Sequence, residues 1–143
     1  MSFDEEFNKL VEEKGDEAVE EMMSQLTELY GSPPLVARVL AEDKLNFLTC
    51  VLKDKAILHR EDGPLNEKVT ELLVISAATA LRCEHCIEQH IQRAYELGVS
   101  KKAVLQTIMI ASAIAETSSW STGFRKYRQV TAKFESKSKK SKS

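Results

Sequence analysis

Two cysteines and a histidine at helical spacing are the residues of this sequence best suited to chemistry. Cys83 and Cys86 form a Cys-x-x-Cys motif, and His90 follows four residues after Cys86. Residues at these spacings share one face of a helix. A helix start lets the two sulfurs approach and stabilises a thiolate, and the histidine can accept the thiol proton. The spacing therefore predicts reversible thiol–disulfide chemistry with Cys86 as the nucleophile, and the reverse assignment of the two cysteines stays open.

An acidic residue before the motif is predicted to complete a proton relay. Glu71 stands in an apolar segment, twelve residues before Cys83. Two antiparallel helices joined by a short turn would bring its carboxylate to His90, where it would orient the imidazole. His85 lies between the cysteines but is expected to point away from their shared face, where it would tune the site or contact a partner.

Other interpretations of these residues stay open. Free cysteines are often simply buried in a core, although packing alone does not explain the histidine that follows them. The two cysteines, with Glu71 and His90, would also make four zinc ligands, but structural zinc sites usually place their second ligand pair much further along the chain. A non-catalytic oligomeric or zinc-binding helical module is therefore the alternative to an enzyme. We expect Cys50 in the core and His59 in an exposed loop.

Hydrophobic periodicity predicts that helices position these residues, and no strand is indicated. Asn66 suits a helix N-cap, and the helix after it is so apolar that it should be buried. Gly15 and the run 117–119 are predicted to interrupt the first and last helical stretches. Trp120 is expected at the core edge or in a subunit contact. The predicted helices cover residues 1–30, 35–58 with a kink near 42–43, 67–81, 83–97, 101–115 and 120–134.

Length and composition predict one all-α domain of about six to seven helices, without a sheet. The chain has 143 residues, of which 43% are hydrophobic and 29% charged, as is usual for a globular protein. We place the domain at residues 1–134, with acidic N-terminal helices over 1–31. Residues 135–143 contain only Glu, Lys and Ser, which cannot form a core, so they are predicted to be a disordered tail.

Charge and hydropathy restrict the partners and the location. The formal net charge of −2 favours neither a nucleic-acid nor a membrane partner. The acidic N-terminus does not resemble a signal peptide, and no apolar stretch approaches the roughly 20 residues of a membrane-spanning helix. We therefore expect a cytoplasmic protein, in which the cysteines are reduced at rest.

The segment from Leu65 to Leu72, together with Cys83-Glu84-His85-Cys86 and His90, resembles the alkylhydroperoxidase D-like branch of the carboxymuconolactone decarboxylase superfamily. The glutamate, both cysteines and both histidines stand at the spacing of that branch. The similarity covers residues 66–123, the family core, and is strongest over 71–98. The decarboxylase branch lacks the cysteine pair, so its lactone chemistry is not expected here.

The resemblance implies an alkylhydroperoxidase D-like helical bundle that forms a homo-oligomer, commonly a trimer or a hexamer. It implies a peroxidase or disulfide reductase that needs no cofactor and acts on a peroxide or a disulfide. An external dithiol of lipoyl type, or a thioredoxin-like protein, would be the reductant. By this resemblance the proton relay and redox pair consist of Glu71, Cys83, His85, Cys86 and His90.

Overall fold

The structure of the chain, a computed structural model, describes residues 1–140. In this part of the chain it contains six helices and no strand, which confirms the all-α prediction. The helices are α1 Phe3–Tyr30, α2 Leu35–Leu40, α3 Lys44–Leu58, α4 Glu67–Leu81, α5 Glu84–Glu96 and α6 Lys101–Lys140. Over residues 1–140, no helix is long and apolar enough to cross a bilayer.

Helix α1 is continuous, although Gly15 was predicted to interrupt it. Gly15 is buried against α3, and a Cβ at this position would lie 3.0 Å from Cδ of Lys44. The missing side chain thus allows two helices to approach closely, which outweighs the weak helix propensity of glycine. The helix starts at Ser2 in a capping box with Glu5 and ends at Gly31, whose φ of 76° lies in the left-handed region.

The segment 35–58, predicted as one kinked helix, consists of two helices. Helix α2 ends at Leu40, and α3 begins after Asp43. The Asp43 carboxylate accepts a hydrogen bond from the backbone N–H of Asn46 at 3.2 Å. An aspartate in this position starts a new helix and leaves its own backbone extended. The chain therefore turns sharply at the place where the sequence predicted only a bend.

Helix α6 departs most from the prediction, because it has neither the interruption nor the early end. The hydroxyls of Thr117 and Ser119 donate to the carbonyls of Ala113 and Ala115 at 3.0 and 3.1 Å, so these side chains bond within the helix. The helix also continues through residues 135–140, which were predicted to be a disordered tail. Lysine and glutamate are good helix formers, and extending an existing helix costs little. The remaining tail residues, 141–143, lie outside the described part of the chain.

The helices pack around two apolar clusters. The first joins α1, α2 and α3 around Val11, Ala37, Phe47 and Leu48. The second joins α4, α5 and α6 around Ile75, Ala94 and Val104. Helix α1 also contacts α5, which links the two halves. The predicted site residues lie on α4 and α5, on the side that faces this junction.

Candidate active site

The cysteine pair lies at the N-terminal end of α5. Arg82 ends α4 with a φ of 60°, and Cys83 follows as the N-cap of α5. The backbone N–H of Cys83 donates to the carbonyl of Ala78 at 2.9 Å, which fixes this short turn. Cys83 and Cys86 form a disulfide, with their Cα atoms 5.3 Å apart. Both sulfurs thus lie in the first turn of a helix, where the helix dipole stabilises a thiolate once the bond is reduced.

Glu71 and His90 form a buried pair next to this turn. The Oε2 atom of Glu71 lies 2.7 Å from Nδ1 of His90, and the two side chains are only 3% and 12% exposed. Because α4 and α5 pack side by side across the short turn, residues nineteen positions apart come into contact. A carboxylate at Nδ1 fixes the orientation of the ring and leaves Nε2 for a second partner. His90 also stands one helical turn after Cys86, as the spacing predicted.

Two aromatic residues from outside the predicted site complete the surroundings of His90. The ring of Tyr30, at the end of α1, meets the imidazole of His90 edge-on, with ring centroids 5.6 Å apart. The Tyr30 hydroxyl lies 3.3 Å from Nε2 of His59, the C-cap of α3. His59 was predicted to be exposed, but it is half-buried. No sequence signal relates these residues to the cysteines, because only the packing of α1 against both α3 and α5 brings them together.

Burial shifts the pKa values of both members of this aromatic pair away from their charged forms. It raises the pKa of Tyr30 to about 12, with the Glu71 carboxylate as the second cause. Burial likewise lowers the pKa of His59, and the nearby Glu71 carboxylate opposes that effect only in part. A neutral His59 can accept a hydrogen bond from the Tyr30 hydroxyl. Glu71 is therefore paired with His90 beside a part-buried tyrosine and a half-buried histidine.

A cavity of about 270 Å³ opens beside the cysteines, between α5 and the first three helices. His85, Cys86 and His90 line it from α5, whereas Cys83 is not among its lining residues. His85 is exposed and lines this cavity with Cys86, although it was expected to point away from the face that the two cysteines share. Most of the remaining wall is apolar and includes Met22, Leu26, Leu29, Val51 and Leu58. A small organic molecule in this space would meet Cys86 and His90.

The structure places the other candidates differently. Cys50 is half-buried on the wall of the same cavity, with its sulfur 3.9 Å from Oδ2 of Asp54, so it is not a core residue. Within residues 1–140 no three His, Cys, Asp or Glu side chains are arranged to hold a metal ion. Glu71, His90 and the two cysteines therefore do not form a ligand cluster here. Their arrangement is that of a disulfide beside a carboxylate–imidazole pair.

Comparison with known proteins gives one match. Neither the curated proteins nor the solved structures that were compared include a match to the chain. The family model described as carboxymuconolactone decarboxylase family matches residues 52–127. This segment covers more than half of the chain and contains Glu71, both motif cysteines and His90. The chain is therefore a member of the carboxymuconolactone decarboxylase family.

Proposed function

We propose that this chain is a thiol-dependent peroxidase and disulfide oxidoreductase of the alkylhydroperoxidase D-like branch of its family. The observation that carries the proposal is the buried Glu71–His90 pair one turn from Cys86, which is bonded to Cys83. A carboxylate, an imidazole and a thiol in this order are the parts of an activated cysteine nucleophile. A second thiol within bonding distance supplies the resolving group.

The first step forms a sulfenic acid. In the reduced protein His90, oriented by Glu71, accepts the proton of the Cys86 thiol. The thiolate attacks one peroxide oxygen, so a sulfur–oxygen bond forms while the oxygen–oxygen bond breaks. The leaving alkoxide takes the proton back from His90 and departs as an alcohol. Cys86 is assigned as the nucleophile because its side chain lines the cavity and that of Cys83 does not.

The later steps close and reopen the disulfide. Cys83 attacks the sulfenic sulfur of Cys86, the sulfur–oxygen bond breaks, and the hydroxide leaves as water with the proton of Cys83. An external dithiol then reduces the disulfide through a mixed disulfide and is itself oxidised. With a disulfide as the substrate, the Cys86 thiolate attacks sulfur instead of oxygen, and the same relay supplies and returns the proton.

Tyr30 and His85 have supporting roles in this proposal. The Tyr30 ring restricts the imidazole by its edge-on contact, and the bond to His59 holds Tyr30 in place. His85 stands at the exposed side of the cavity beside Cys86. It would interact with the substrate or with the incoming reductant. The homo-oligomer and the cytoplasmic location stay predictions.

The test is a thiol titration on a Cys50→Ser background, which leaves only the two motif cysteines. After full reduction, one equivalent of tert-butyl hydroperoxide should remove both thiols together, and dithiothreitol should restore both. Adding Cys83→Ser should stop the reaction at a sulfenic acid on Cys86, which dimedone traps. Adding Cys86→Ser should abolish the peroxide reaction.

Two outcomes would decide against this assignment. If Cys86→Ser still forms a sulfenic acid and Cys83→Ser does not, the roles of the two cysteines are reversed. If the reduced protein loses no thiol to the peroxide but releases zinc when its thiols are blocked, the chain is the metal-binding module instead. The Cys50→Ser protein before reduction serves as the control, since it should contain no free thiol.

A further inference from the structure

The distal half of α6 presents an exposed row of aromatic side chains at heptad spacing. We call this row the distal seam; its members alternate four and three residues apart and are Trp120, Phe124, Tyr127, Thr131 and Phe134. The four aromatic residues are between 55% and 71% exposed. Such spacing is typical of a helix that packs along another helix. A row of large aromatic side chains left in water marks an interaction surface.

A second exposed apolar row lies at the opposite end of the sequence. We call it the N-terminal stripe; it consists of Phe3, Phe7 and Leu10, which alternate by the same four and three residues. Phe3 is 83% exposed and Leu10 is 51% exposed, whereas Phe7 between them is half-buried and also packs against the first cluster. The rings of Phe3 and Phe7 are stacked with centroids 6.4 Å apart, and those of Trp120 and Phe124 are at the same distance. The two ends of the N-terminal stripe and the four aromatic residues of the distal seam are exposed within one chain, so neither row covers the other.

The two rows carry opposite charge. Helix α1 contains ten acidic and only two basic residues. From residue 120 to 139, α6 contains six basic residues and one acidic residue. Glu6 and Glu13 flank the N-terminal stripe, while Arg125 and Arg128 stand beside the distal seam, and all four are exposed. When two apolar rows have the same spacing, opposite charges beside them determine which helices pair.

We infer that the distal seam of one copy packs on the N-terminal stripe of a second copy of this chain. Pairing two distal seams would bring Arg125 and Arg128 against the same residues of the other copy, which like-charge repulsion disfavours. An anionic membrane would suit the basic seam but would leave the acidic apolar stripe without a role. A contact between two different surfaces repeats from copy to copy, and it closes into a ring when the rotation between the copies allows closure. This inference does not depend on the thiol chemistry.

Sedimentation velocity of the full chain and of charge-reversed variants tests the inference. The unmodified chain should sediment as an oligomer. Arg125→Glu with Arg128→Glu should raise the concentration needed for assembly by about tenfold or more, since acidic residues would then face acidic residues. Glu6→Lys with Glu13→Lys should do the same from the other side. All four substitutions in one chain should restore the oligomer, because the opposite charges are exchanged.

The matched control is Lys101→Glu with Lys102→Glu, which makes the same charge change at the other end of α6. This variant should assemble like the unmodified chain, and circular dichroism should show equal helix content for every variant. Three results would each overturn the inference: an unmodified chain that is monomeric, an Arg125/Arg128 variant that still assembles, or a fourfold variant that does not. A monomeric chain that binds phosphatidylserine vesicles would identify a membrane surface instead.

Discussion

At the scale of single residues, the position of Glu71 shows what the site requires. A carboxylate that is 3% exposed would be strongly destabilising without a partner. The Glu71 carboxylate is paired with Nδ1 of His90 at 2.7 Å, and not with a helix cap or a surface lysine. The proposed relay would explain why Glu71 is buried beside His90, because the imidazole must accept a proton while its ring keeps a fixed orientation.

Glu71→Gln should lower the rate at which peroxide oxidises the reduced cysteine pair by about 10²-fold, a common size for losing one acid–base group. Glutamine keeps the shape of the side chain but cannot stabilise a protonated His90. Thiol titration against time, on the Cys50→Ser background, measures this rate. Glu67→Gln is the matched control, because Glu67 lies one turn earlier on α4 and is 63% exposed. Equal rates for the two variants would contradict a role of Glu71 in the relay.

His59 should make stability depend on pH. Its pKa in the folded chain lies below the usual value of 6.5 because of burial, whereas unfolding restores the usual value. Between these two pKa values the unfolded chain binds more protons, so the free energy of unfolding decreases as the pH falls through this window. Compared with the unmodified chain, His59→Gln should therefore become relatively more stable as the pH is lowered from about 7.5 to 5.

Urea unfolding at several pH values measures this difference. Tyr30→Phe is the control, because it removes the hydroxyl that contacts His59 but leaves the buried imidazole in place. It should retain the pH dependence of the unmodified chain. Parallel stability curves for His59→Gln and the unmodified chain would contradict the assignment of a neutral, buried His59.

At the scale of elements, two turns with left-handed residues hold α5 in place. Arg82 has a φ of 60° before α5, and Gly98 has a φ of 79° after it. Glycine adopts this conformation without strain, whereas a residue with a Cβ is destabilised by about 1 kcal/mol. Arg82, in the turn before the cysteines, is therefore less suited to the left-handed conformation than Gly98, in the turn after α5.

Two substitutions at these turns should change stability in opposite directions. Gly98→Ala should lower the free energy of unfolding by about 1 kcal/mol, although a Cβ there would meet nothing closer than Nζ of Lys68 at 3.9 Å. Arg82→Gly should raise the free energy of unfolding by up to about 1 kcal/mol. Glycine also gives the unfolded chain more conformational entropy, which reduces this gain. Urea unfolding of the oxidised proteins measures both. A stabilised Gly98→Ala variant would contradict the argument.

At the scale of the whole molecule, the cavity depends on both apolar clusters. Helices α4 and α5 provide the reactive groups over the second cluster. The first cluster holds α1 and α3 in place, and these helices supply Tyr30, His59 and much of the apolar wall. The family model begins only at residue 52. The residues before it form most of the cavity wall that faces the cysteines.

Phe47→Ala should lower the free energy of unfolding by about 3–5 kcal/mol, as expected for a fully buried phenylalanine. Phe47 has no exposed surface and lies at the centre of the first cluster. Ile75→Val, at the centre of the second cluster, should cost only about 0.5–1.5 kcal/mol, because it removes one methylene group. Urea unfolding measures both values. A Phe47→Ala cost below that of Ile75→Val would contradict the existence of the first cluster as a packed core.

The sequence alone determined the helical class, the apolar α4 and the constellation in which Glu71 meets His90 and Cys83 meets Cys86. Those features depend on residues close together in the chain, where 3.6-residue periodicity and short turns decide which side chains meet. Helix ends were less predictable. Packing against α3 overrides the helix-breaking preference of Gly15. A cap strengthens the preference of Asp43 to start a helix, and an intrahelical hydrogen bond overrides the preference of Thr117 to interrupt one.

Only the tertiary structure decided what surrounds that constellation. Tyr30 and His59 are separated from each other by twenty-nine residues, and both lie far along the chain from His90. No periodicity relates side chains on helices that meet only when the two clusters pack. The cavity beside Cys86 arises from that meeting as well. Spacing along two neighbouring helices predicted which of these side chains meet, whereas the docking of distant helices determined their surroundings, because burial and charge pairing act through space.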